Sequence, residues 1–290
     1  NCINQGVAAG YKQYVGGIVG YNQADSTIAD CASYLSDYDN SVYNMIVHKW
    51  KATASFAGGI AGYNDGAITF SDESEAITVK SVSSIVVGQN YVGGIAGFND
   101  ENATIDVHYT LIGGRIYAYG KCAGGAFGLN VLNQELTIKP QSIQGQYFVG
   151  GVIGANVVNL TQDMTMSQMR TDNILGRITG EAFCGGIVGY QRTYTTGQLG
   201  NAELKSAALK MLPGLDSDGV PSYGSNALAV SRNPNQLTTT TTNNIPIRAG
   251  LYAGGIVGYC EKDSHLLLKN CTNSGDIAQT ASVWKNGVAL

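Results

Sequence analysis

Short runs of β-forming residues follow one another along most of the chain, and glycine, asparagine, aspartate and serine separate them. Residues 45–48, 85–87, 104–107 and 136–139 are four such runs, rich in isoleucine, valine and threonine, and several alternate between hydrophobic and polar residues. Runs of this composition between turn-forming residues are typical of β-strands. The pattern therefore predicts an all-β protein.

An octapeptide with the pattern Val/Ala-Gly-Gly-Ile-Val/Ala-Gly-Tyr/Phe-Asn occurs in seven copies, some of them degenerate. The copies are residues 15–22, 57–64, 92–99, 123–130, 149–156, 184–191 and 253–260. Their paired glycines are Gly16 and Gly17, Gly58 and Gly59, Gly93 and Gly94, Gly124 and Gly125, Gly150 and Gly151, Gly185 and Gly186, and Gly254 and Gly255. The repeat governs nearly the whole chain.

Each repeat unit holds about three strands, too few to bury an apolar face alone, so neighbouring units must stack. We therefore predict a single domain over residues 1–290, a right-handed parallel β-solenoid (β-helix) of about eight rungs. A propeller or a sandwich is the competing all-β arrangement. The 26 residues that separate Gly124 from Gly150 are too few for a four-stranded propeller blade with its turns.

Glycine weakens an ordinary strand, so three glycines in six residues imply that another backbone or a large side chain comes very close. If the octapeptide is one strand, Gly16, Ile18, Gly20 and Asn22 share one face. The strand is then either covered on both sides or stacks its aromatic residues on its outer face. The aromatic position holds Tyr21 in the first copy but Leu129 and Ala155 in the middle copies. An aromatic column should therefore thin there.

The last position of the octapeptide is asparagine in the first five copies. Stacked side-chain amides can hydrogen-bond to one another along such an axis. We therefore predict an asparagine ladder through the first five rungs, which ends where Gln191 and Cys260 replace asparagine. Its members are Asn22, Asn64, Asn99, Asn130 and Asn156.

The repeated octapeptide, together with the Asn-Cys-x-Asn-x-Gly phrases at residues 1–6 and 270–275, resembles the GLUG motif of bacterial cell-surface proteins. The resemblance covers the chain outside residues 192–248. It implies a secreted or wall-attached bacterial protein, adhesin-like or part of the stalk of a larger surface polypeptide. It brings no catalytic residues with it.

Residues 192–248 differ in composition from the repeat and are predicted to be an insertion. Residues 201–212 combine an N-capping Asn201, good helix formers and a following Pro213, which predicts a short helix. Insertions in solenoids often lie on the binding face. The insertion and the loop with Tyr34, Tyr38 and Tyr43 are the predicted contact surfaces, because tyrosines can stack on sugars or peptides. Burial of these tyrosines in a turn is the alternative interpretation.

Charge and composition exclude several classes of protein. The chain has 17 basic and 21 acidic residues, a balance that lacks the cationic excess expected for binding nucleic acid. With 44% hydrophobic residues it is not disordered, and it has no apolar window long enough for membrane insertion. It starts at Asn1 without a leader, from which we expect a processed product or an excised piece. Open solenoid ends would permit self-association.

Six cysteines allow many pairings, and Cys2 with Cys31 is the predicted disulfide. There is no C-x-x-C pair to bind zinc, and residues 216–219 resemble the start of a calcium loop that lacks its distal glutamate. We predict no metal and no cofactor. Only Asp30, Asp106 and Asp163 lie at comparable positions of the repeat. They could line one outer face, although a solvated strand face explains them better.

These observations predict a non-enzymatic structural or adhesive repeat module of a bacterial surface or secreted protein, located outside the cell. Its partner would be a protein or glycan of a host or matrix. Two alternatives stay open. One is a self-assembling filament subunit that stacks head to tail, and the other is a carbohydrate-active β-helix with its site on the aspartate face.

Overall fold

The computed structural model describes the chain in segments that together contain most of the repeat. These are residues 2–4, 8–10, 13–33, 45–48, 56–70, 82–107, 111–131, 136–140, 142–160, 165–167, 170–171, 176–195, 214–215, 221–222, 235–238, 242–243, 245–260, 266–268, 270–279, 284–285 and 288–289. All regular elements within them are β-strands. The described part of the chain is therefore all-β.

Two seven-stranded parallel sheets contain the copies of the octapeptide. Sheet 1 consists of Tyr14–Gly16, Phe56–Gly58, Tyr91–Gly93, Cys122–Gly124, Phe148–Gly150, Phe183–Gly185 and Tyr252–Gly254. Sheet 2 consists of Val19–Asn22, Ala61–Asn64, Ala96–Asn99, Phe127–Asn130, Ile153–Leu160, Val188–Thr195 and Val257–Cys260. In each sheet, the copies lie in sequence order. We number the levels of this stack 1 to 7 by these copies.

The strands that lead into each copy form a third parallel sheet. Sheet 3 consists of Ala8–Gly10, Met45–His48, Val82–Gly88, Leu111–Ala118, Ser142–Gly145, Ile178–Gly180, Ile247–Ala249 and Ile277–Gln279. A branch pairs with the first residues of Leu111–Ala118 and consists of Thr137–Lys139, Arg170–Thr171, Thr242–Asn243 and Thr272–Asn273.

Shorter strands complete the described structure. Further parallel groups are Thr27–Ala29 with Ala67–Phe70 and Thr104–Val107, Thr165–Ser167 with Asn235–Thr238 and Leu266–Leu268, and Ile3–Asn4 with Ala32–Ser33. Two antiparallel pairs are Gly214–Leu215 with Pro221–Ser222, and Trp284–Lys285 with Val288–Ala289. Parallel strands in stacked sheets are consistent with a β-helix.

The copies of the octapeptide lie directly on one another. The register pairs Gly16 with Gly58, Gly58 with Gly93, and so on through Gly254. Successive parallel strands are about 4.8 Å apart. The sequence repeat is therefore also the repeat of the structure.

Each copy contains two strands rather than the single strand that the alternation predicts. The chain bends at Gly17 and Ile18, and the equivalent residues bend in the other copies. The bend is itself bonded to the next level, since Ile18 N and Val19 N both donate to Ile60 O, at 3.0 and 3.1 Å. Alternation cannot be carried across a bend, so the shared face predicted for Gly16, Ile18, Gly20 and Asn22 is wrong.

Close approach of backbones accounts for the three glycines of each copy. A Cβ atom on Gly58 would overlap the carbonyl oxygen of Ala61, and one on Gly59 would overlap the carbonyl oxygen of Gly94 on the next level. A Cβ atom on Gly62 would lie 2.5 Å from the backbone nitrogen of Val15. The first glycine thus permits the bend, the second permits stacking of bends, and the third lets sheet 2 lie against sheet 1.

The buried core divides into three clusters that run along the stack. One contains Ile60, Ile95 and their equivalents at the bends, and another contains aromatic residues such as Phe56 and Tyr63. The third lies between sheets 1 and 3, with Val92 and Ile116 among its members. Each cluster extends over several levels, so no single level has a core of its own.

Residues 192–248 are not wholly separate from the stack. The strand Val188–Thr195 continues in register on Ile153–Leu160 beyond the octapeptide. At the other end, Asn235–Thr238, Thr242–Asn243 and Ile247–Ala249 pair with strands of the repeat. The helix predicted for residues 201–212 lies outside the described residues.

Substitution of the third glycine of a copy should destabilise the protein when that copy lies inside the stack, but not when it is the copy on level 1. In Gly97→Ala the new Cβ would lie 2.6 to 2.8 Å from backbone atoms of Ala57, Gly62 and Tyr91. We expect a loss of about 1–3 kcal/mol of unfolding free energy, the usual cost of overpacking. The measurement is denaturant unfolding followed by circular dichroism.

Gly20→Ala is the matched control, because the nearest atom to its Cβ would be Tyr14 O at 3.4 Å, an ordinary contact distance. This variant should stay within about 0.5 kcal/mol of the wild type. Equal losses in the two variants would show that the glycines are not required for backbone approach.

Candidate functional site

A ladder of buried amides runs through sheet 2. Each asparagine donates its Nδ2 to the Oδ1 of the asparagine on the next level, and all are buried. The four distances, in chain order, are 2.7, 3.0, 3.0 and 2.7 Å for Asn22 to Asn64, Asn64 to Asn99, Asn99 to Asn130, and Asn130 to Asn156. A buried amide without a partner is costly, so the ladder makes this polar column compatible with the core.

The ladder continues one level beyond its predicted end. Gln191 is paired with Asn156 in register, and its Oε1 accepts a hydrogen bond from Asn156 Nδ2 at 2.8 Å. Gln191 Nε2 then donates to the backbone oxygen of Arg192 at 3.3 Å. The prediction that Gln191 interrupts the ladder is wrong, because glutamine carries the same amide on a side chain one methylene longer. Cys260 follows it in register.

A second, shorter amide pair lies in the branch of sheet 3. Asn243 Nδ2 donates to Asn273 Oδ1 at 2.6 Å, and Asn273 Nδ2 donates to Gly275 O at 2.9 Å. The Asn243 side chain packs on Gly186, where a Cβ would lie 2.6 Å from Asn243 Nδ2. Sequence reasoning missed this pair, although the Asn-Cys-x-Asn-x-Gly phrase at residues 270–275 contains Asn273.

The aromatic residues form two columns. The predicted column brings Tyr21, Tyr63 and Phe98 into edge-to-face contact, with ring centroids 4.8 Å apart at each step. It has no ring at Leu129 and Ala155 and resumes at Tyr190 and Tyr259, as predicted. The T-shaped geometry is a favourable arrangement for aromatic pairs.

The other aromatic column lies at the start of each sheet 1 strand. Tyr14, Phe56 and Tyr91 stack with centroids 5.5 and 4.9 Å apart, and Phe148, Phe183 and Tyr252 stack at 5.4 and 5.1 Å. Cys122 takes the ring position on level 4. Sequence reasoning missed this column because these residues precede the octapeptide, although aligning the copies one position further back would have revealed it.

Buried carboxylates occupy the corner that follows the ladder. The hydroxyl of Tyr63 donates a short hydrogen bond to Asp100 Oδ2, and Asn102 Nδ2 donates to Asp65 Oδ1 at 3.0 Å. Burial, and next the hydrogen bond to Asp100, raises the pKa of Tyr63 well above its usual value. Among the described residues, no three His, Cys, Asp or Glu side chains are placed to share a metal ion. The two carboxylates accept hydrogen bonds from Tyr63 and Asn102 at this corner.

The predicted aspartate face is not assembled in the described structure. Asp106 is in register with Thr69 and Ala29. Asp30 lies one residue beyond that position, in a left-handed conformation with φ of 50°. Its backbone nitrogen donates to Thr69 O. Asp30 and Asp106 are therefore out of register by one residue, and the comparable phase assigned to these two aspartates is wrong.

Asp163 and the loop residues Tyr34, Tyr38 and Tyr43 lie outside the described residues, and so does the segment 216–219 that resembles a calcium loop.

The cysteines are free thiols. Cys2 and Cys31 directly precede the paired strands Ile3–Asn4 and Ala32–Ser33, where Ala32 N donates to Cys2 O at 2.8 Å, but no disulfide joins them. Cys31 Sγ instead donates to Ala29 O at 3.2 Å, and burial raises the pKa of this thiol. Cys122 and Cys184 are fully buried in different clusters, where burial raises their pKa well above the usual value. The predicted disulfide is therefore absent from this structure.

One unit of the stack matches a known family model. A family model described as the GLUG motif matches residues 13–33. The chain carries the GLUG motif. The matched segment includes the first strands of sheets 1 and 2 together with Thr27–Ala29 and Ala32–Ser33. The later copies stack in register, one after another, on the matched copy of level 1. Each later copy therefore has the backbone geometry of the matched copy.

Other comparisons add no relatives. No curated protein and no solved structure matches the chain. No helix that could span a bilayer occurs in the part of the chain that the structure describes.

Removal of an amide from the middle of the ladder should cost more than removal at its start. Asn99→Ala leaves Asn64 Nδ2 and Asn130 Oδ1 without their partners, both in the interior. An unsatisfied buried group costs about 1–3 kcal/mol, so we expect a loss of about 2–4 kcal/mol. Asn22→Ala breaks only one link of the ladder and should cost about half as much. Denaturant unfolding of both variants is the measurement, and equal losses would contradict a stabilising role of the ladder hydrogen bonds.

Alkaline pH should weaken the fold through its buried thiols. The pKa of Cys122 and of Cys184 is raised in the folded state, whereas unfolded cysteine titrates near pH 8.5. Stability should therefore be fully present below about pH 8 and fall as pH rises, by at most about 1.4 kcal/mol per pH unit for each thiol. The measurement is denaturant unfolding between pH 7 and 9.5 under reducing conditions.

Cys2→Ser with Cys260→Ser is the control, because both residues are exposed. This double variant should keep the alkaline loss, whereas Cys122→Ala with Cys184→Ala should reduce its slope. An unchanged slope in the second double variant would contradict the assignment of the loss to these thiols.

Proposed function

We propose that the stacked sheets close into a right-handed β-solenoid of about eight rungs, which acts as a non-enzymatic structural or adhesive module. Its location would be the surface of a bacterium or the extracellular medium. The GLUG motif supports this role because it occurs in repeat proteins of cell surfaces. The partner of the module would be a protein or a glycan of a host or matrix.

The in-register stack of seven copies is the observation that carries this proposal. Its hydrogen bonds run from level to level in sheets 1 and 2 and across the bends between them. The amides of Asn64, Asn99 and Asn130, whose side chains are fully buried, are bonded in the same direction. A rod bonded along its whole length is suited to hold attached segments at fixed positions.

A carbohydrate-active β-helix has less support. General acid–base hydrolysis of a glycosidic bond needs two carboxyl groups that flank the scissile bond. Asp30 and Asp106 lie two levels apart and out of register. This arrangement favours the structural role over the catalytic one.

A filament subunit is the second candidate function. The first strands of sheets 1 and 2, Tyr14–Gly16 and Val19–Asn22, pair with only one neighbour within the described residues. The side chains of Tyr14 and Tyr21 are 38% and 37% exposed there, whereas the equivalent Phe56 and Tyr63 are each 2% exposed. An open strand edge with half-exposed rings would accept a further parallel strand.

Surface labelling tests the proposed location. Antibodies raised against the purified chain should label intact cells of the source organism, and protease treatment of whole cells should remove the label. Labelling that requires permeabilised cells would contradict the proposal. An antibody against a cytosolic enzyme is the control for cell integrity.

Assays of the purified chain separate the three functions. The structural role predicts no release of reducing ends from a panel of polysaccharides, with the same result for the Asp30→Asn and Asp106→Asn variants. Turnover that these variants abolish would establish the carbohydrate-active alternative. Concentration-dependent fibres in electron micrographs would establish the filament, which Tyr14→Lys with Tyr21→Lys should then prevent.

A further inference from the structure

One face of sheet 3 is turned away from the core. Ile116, Ile143, Ile178 and Ile247 are in register and fully buried in the cluster between sheets 1 and 3. Neighbouring residues of a strand face opposite ways, so the residues between these isoleucines lie on the outer face. On levels 4 to 7 of the stack, one row of this face holds Tyr117, Gln144, Thr179 and Arg248 in register.

Three of the chain's arginines lie on this outer face. Arg115 is in register with Ser142, and Ile143 N donates to Arg177 O, which places Arg177 on the next level of the same row. Arg248 lies one level further, in the row of Thr179. All three side chains are exposed. Within the described segments, none of the three guanidinium groups forms an ion pair or a hydrogen bond.

The cationic face contrasts with the charge of the chain as a whole, which is −4. Glu181 and Asp276 are the acidic residues next to it. Glu181 is engaged by Gln146, whose Nε2 donates to Glu181 Oε2 at 3.3 Å. Asp276 lies one level beyond Arg248, since the backbone oxygen of Asp276 accepts a hydrogen bond from Ile247 N. The three arginines therefore form a cationic strip between these acidic residues.

A buried hydroxyl group lies within this strip. Thr179 is only 6% exposed although it belongs to the outer face, because it lies between the longer side chains of Gln144 and Arg248. Its Oγ1 is buried and has no hydrogen-bond partner. A buried polar group normally has a partner, so a ligand that moves the covering side chain of Gln144 or Arg248 aside would supply the missing one.

Tyrosines extend the face on level 4. Tyr117 is half-buried beside Gln144. Tyr119 is 38% exposed and lies two residues further along the chain. Tyrosine offers a flat apolar ring with a polar hydroxyl, a combination suited to the faces and hydroxyls of sugar rings. An amide, a hydroxyl, tyrosines and guanidinium groups thus occur together on the outer face of sheet 3.

We propose that this outer face of sheet 3 binds an extended polysaccharide whose sugars carry carboxylate groups. Arg115 and Arg177 are two levels apart, about 9.5 Å at the spacing of parallel strands. This separation is close to the length of a disaccharide unit in an extended polysaccharide. The two guanidinium groups can therefore pair with two carboxylates that lie two sugars apart. Gln144 lies on the level between them and binds a hydroxyl of the intervening sugar, and Thr179, two residues beyond Arg177 on the same level, binds a hydroxyl of the sugar that Arg177 holds.

Charge complementarity selects this ligand over other polyanions. Nucleic acid binding depends on many cationic contacts to closely spaced phosphates, and this face has three cations in two rows. An anionic membrane likewise attracts clusters of four to eight basic residues. A polysaccharide that carries one charge for each disaccharide matches a sparse cationic strip with neutral hydrogen-bonding groups between the charges.

Binding of the purified chain to defined polysaccharides tests the proposal. The probes are alginate and hyaluronate, with neutral dextran, single-stranded DNA and anionic phospholipid vesicles for comparison. The variant is Arg115→Gln with Arg177→Gln and Arg248→Gln, which lowers the net charge by three and changes only exposed side chains. We expect the carboxylated polysaccharides to bind the wild type, and the variant to weaken their binding at least tenfold.

A charge-matched control separates the strip from the net charge. Gln23→Glu with Ala24→Glu and Thr27→Glu also lowers the net charge by three, at exposed positions of level 1 outside sheet 3. Its affinity should stay within about twofold of the wild type, since exposed charges beyond a Debye length are screened at physiological salt. Equal weakening in the two triple variants would overturn the proposal. Failure of the wild type to bind either carboxylated probe would also overturn it, as would tighter binding to DNA or vesicles.

Thr179→Val tests the hydroxyl separately from the charges. Valine has nearly the same shape, and removal of an unpartnered buried hydroxyl should leave the melting temperature unchanged or raise it. If the hydroxyl binds sugar, affinity should fall at least threefold in the same variant. Unchanged affinity would show that Thr179 takes no part in binding. All these assays use purified protein, so their outcome does not depend on the cellular location proposed above.

Discussion

Backbones pass one another so closely in this protein that side chains cannot fit between them. The contact recurs on levels 2 to 7, where the third glycine of each copy in sheet 2 lies against a sheet 1 strand of the preceding level. The bends depend on an equally close contact, because the second glycine of each copy lets the bend at Gly17 and Ile18 lie on the next bend and bond to it. The other regularities of the stack depend on these two backbone contacts.

Exact superposition of the levels determines which side chains can be tolerated inside. An asparagine in the core is acceptable at Asn99 because the identical residue lies on the adjacent level at hydrogen-bonding distance. Aromatic rings are equally well placed, since Phe56 and Tyr91 meet at 4.9 Å. Where the rings stop at Cys122 and Leu129, smaller apolar residues continue the same cluster. Like residues on like positions therefore supply both the polar and the apolar cohesion of the protein.

The repeat made much of this architecture predictable. Strand composition, the stacking of copies and the amide column follow from residues that recur at fixed positions of the octapeptide, such as Asn22 and Asn64. The bend inside the octapeptide was missed because the alternation of residues indicates which face of a strand each side chain lies on. It does not indicate where the chain changes direction. The cationic strip could not be found in advance, since Arg115, Arg177 and Arg248 are unevenly spaced and become neighbours only once the register of sheet 3 is known.

The direction of the amide ladder has a consequence for the whole axis of the stack. Every Nδ2 group from Asn22 to Asn156 points toward later levels, so the amide dipoles add instead of cancelling. Chains of hydrogen bonds polarise one another, and each link strengthens its neighbours. The interior thus has an electrical polarity, with acceptors facing the Asn22 end and donors facing the Gln191 end. Any amide that extends this column must match the orientation of those already in it.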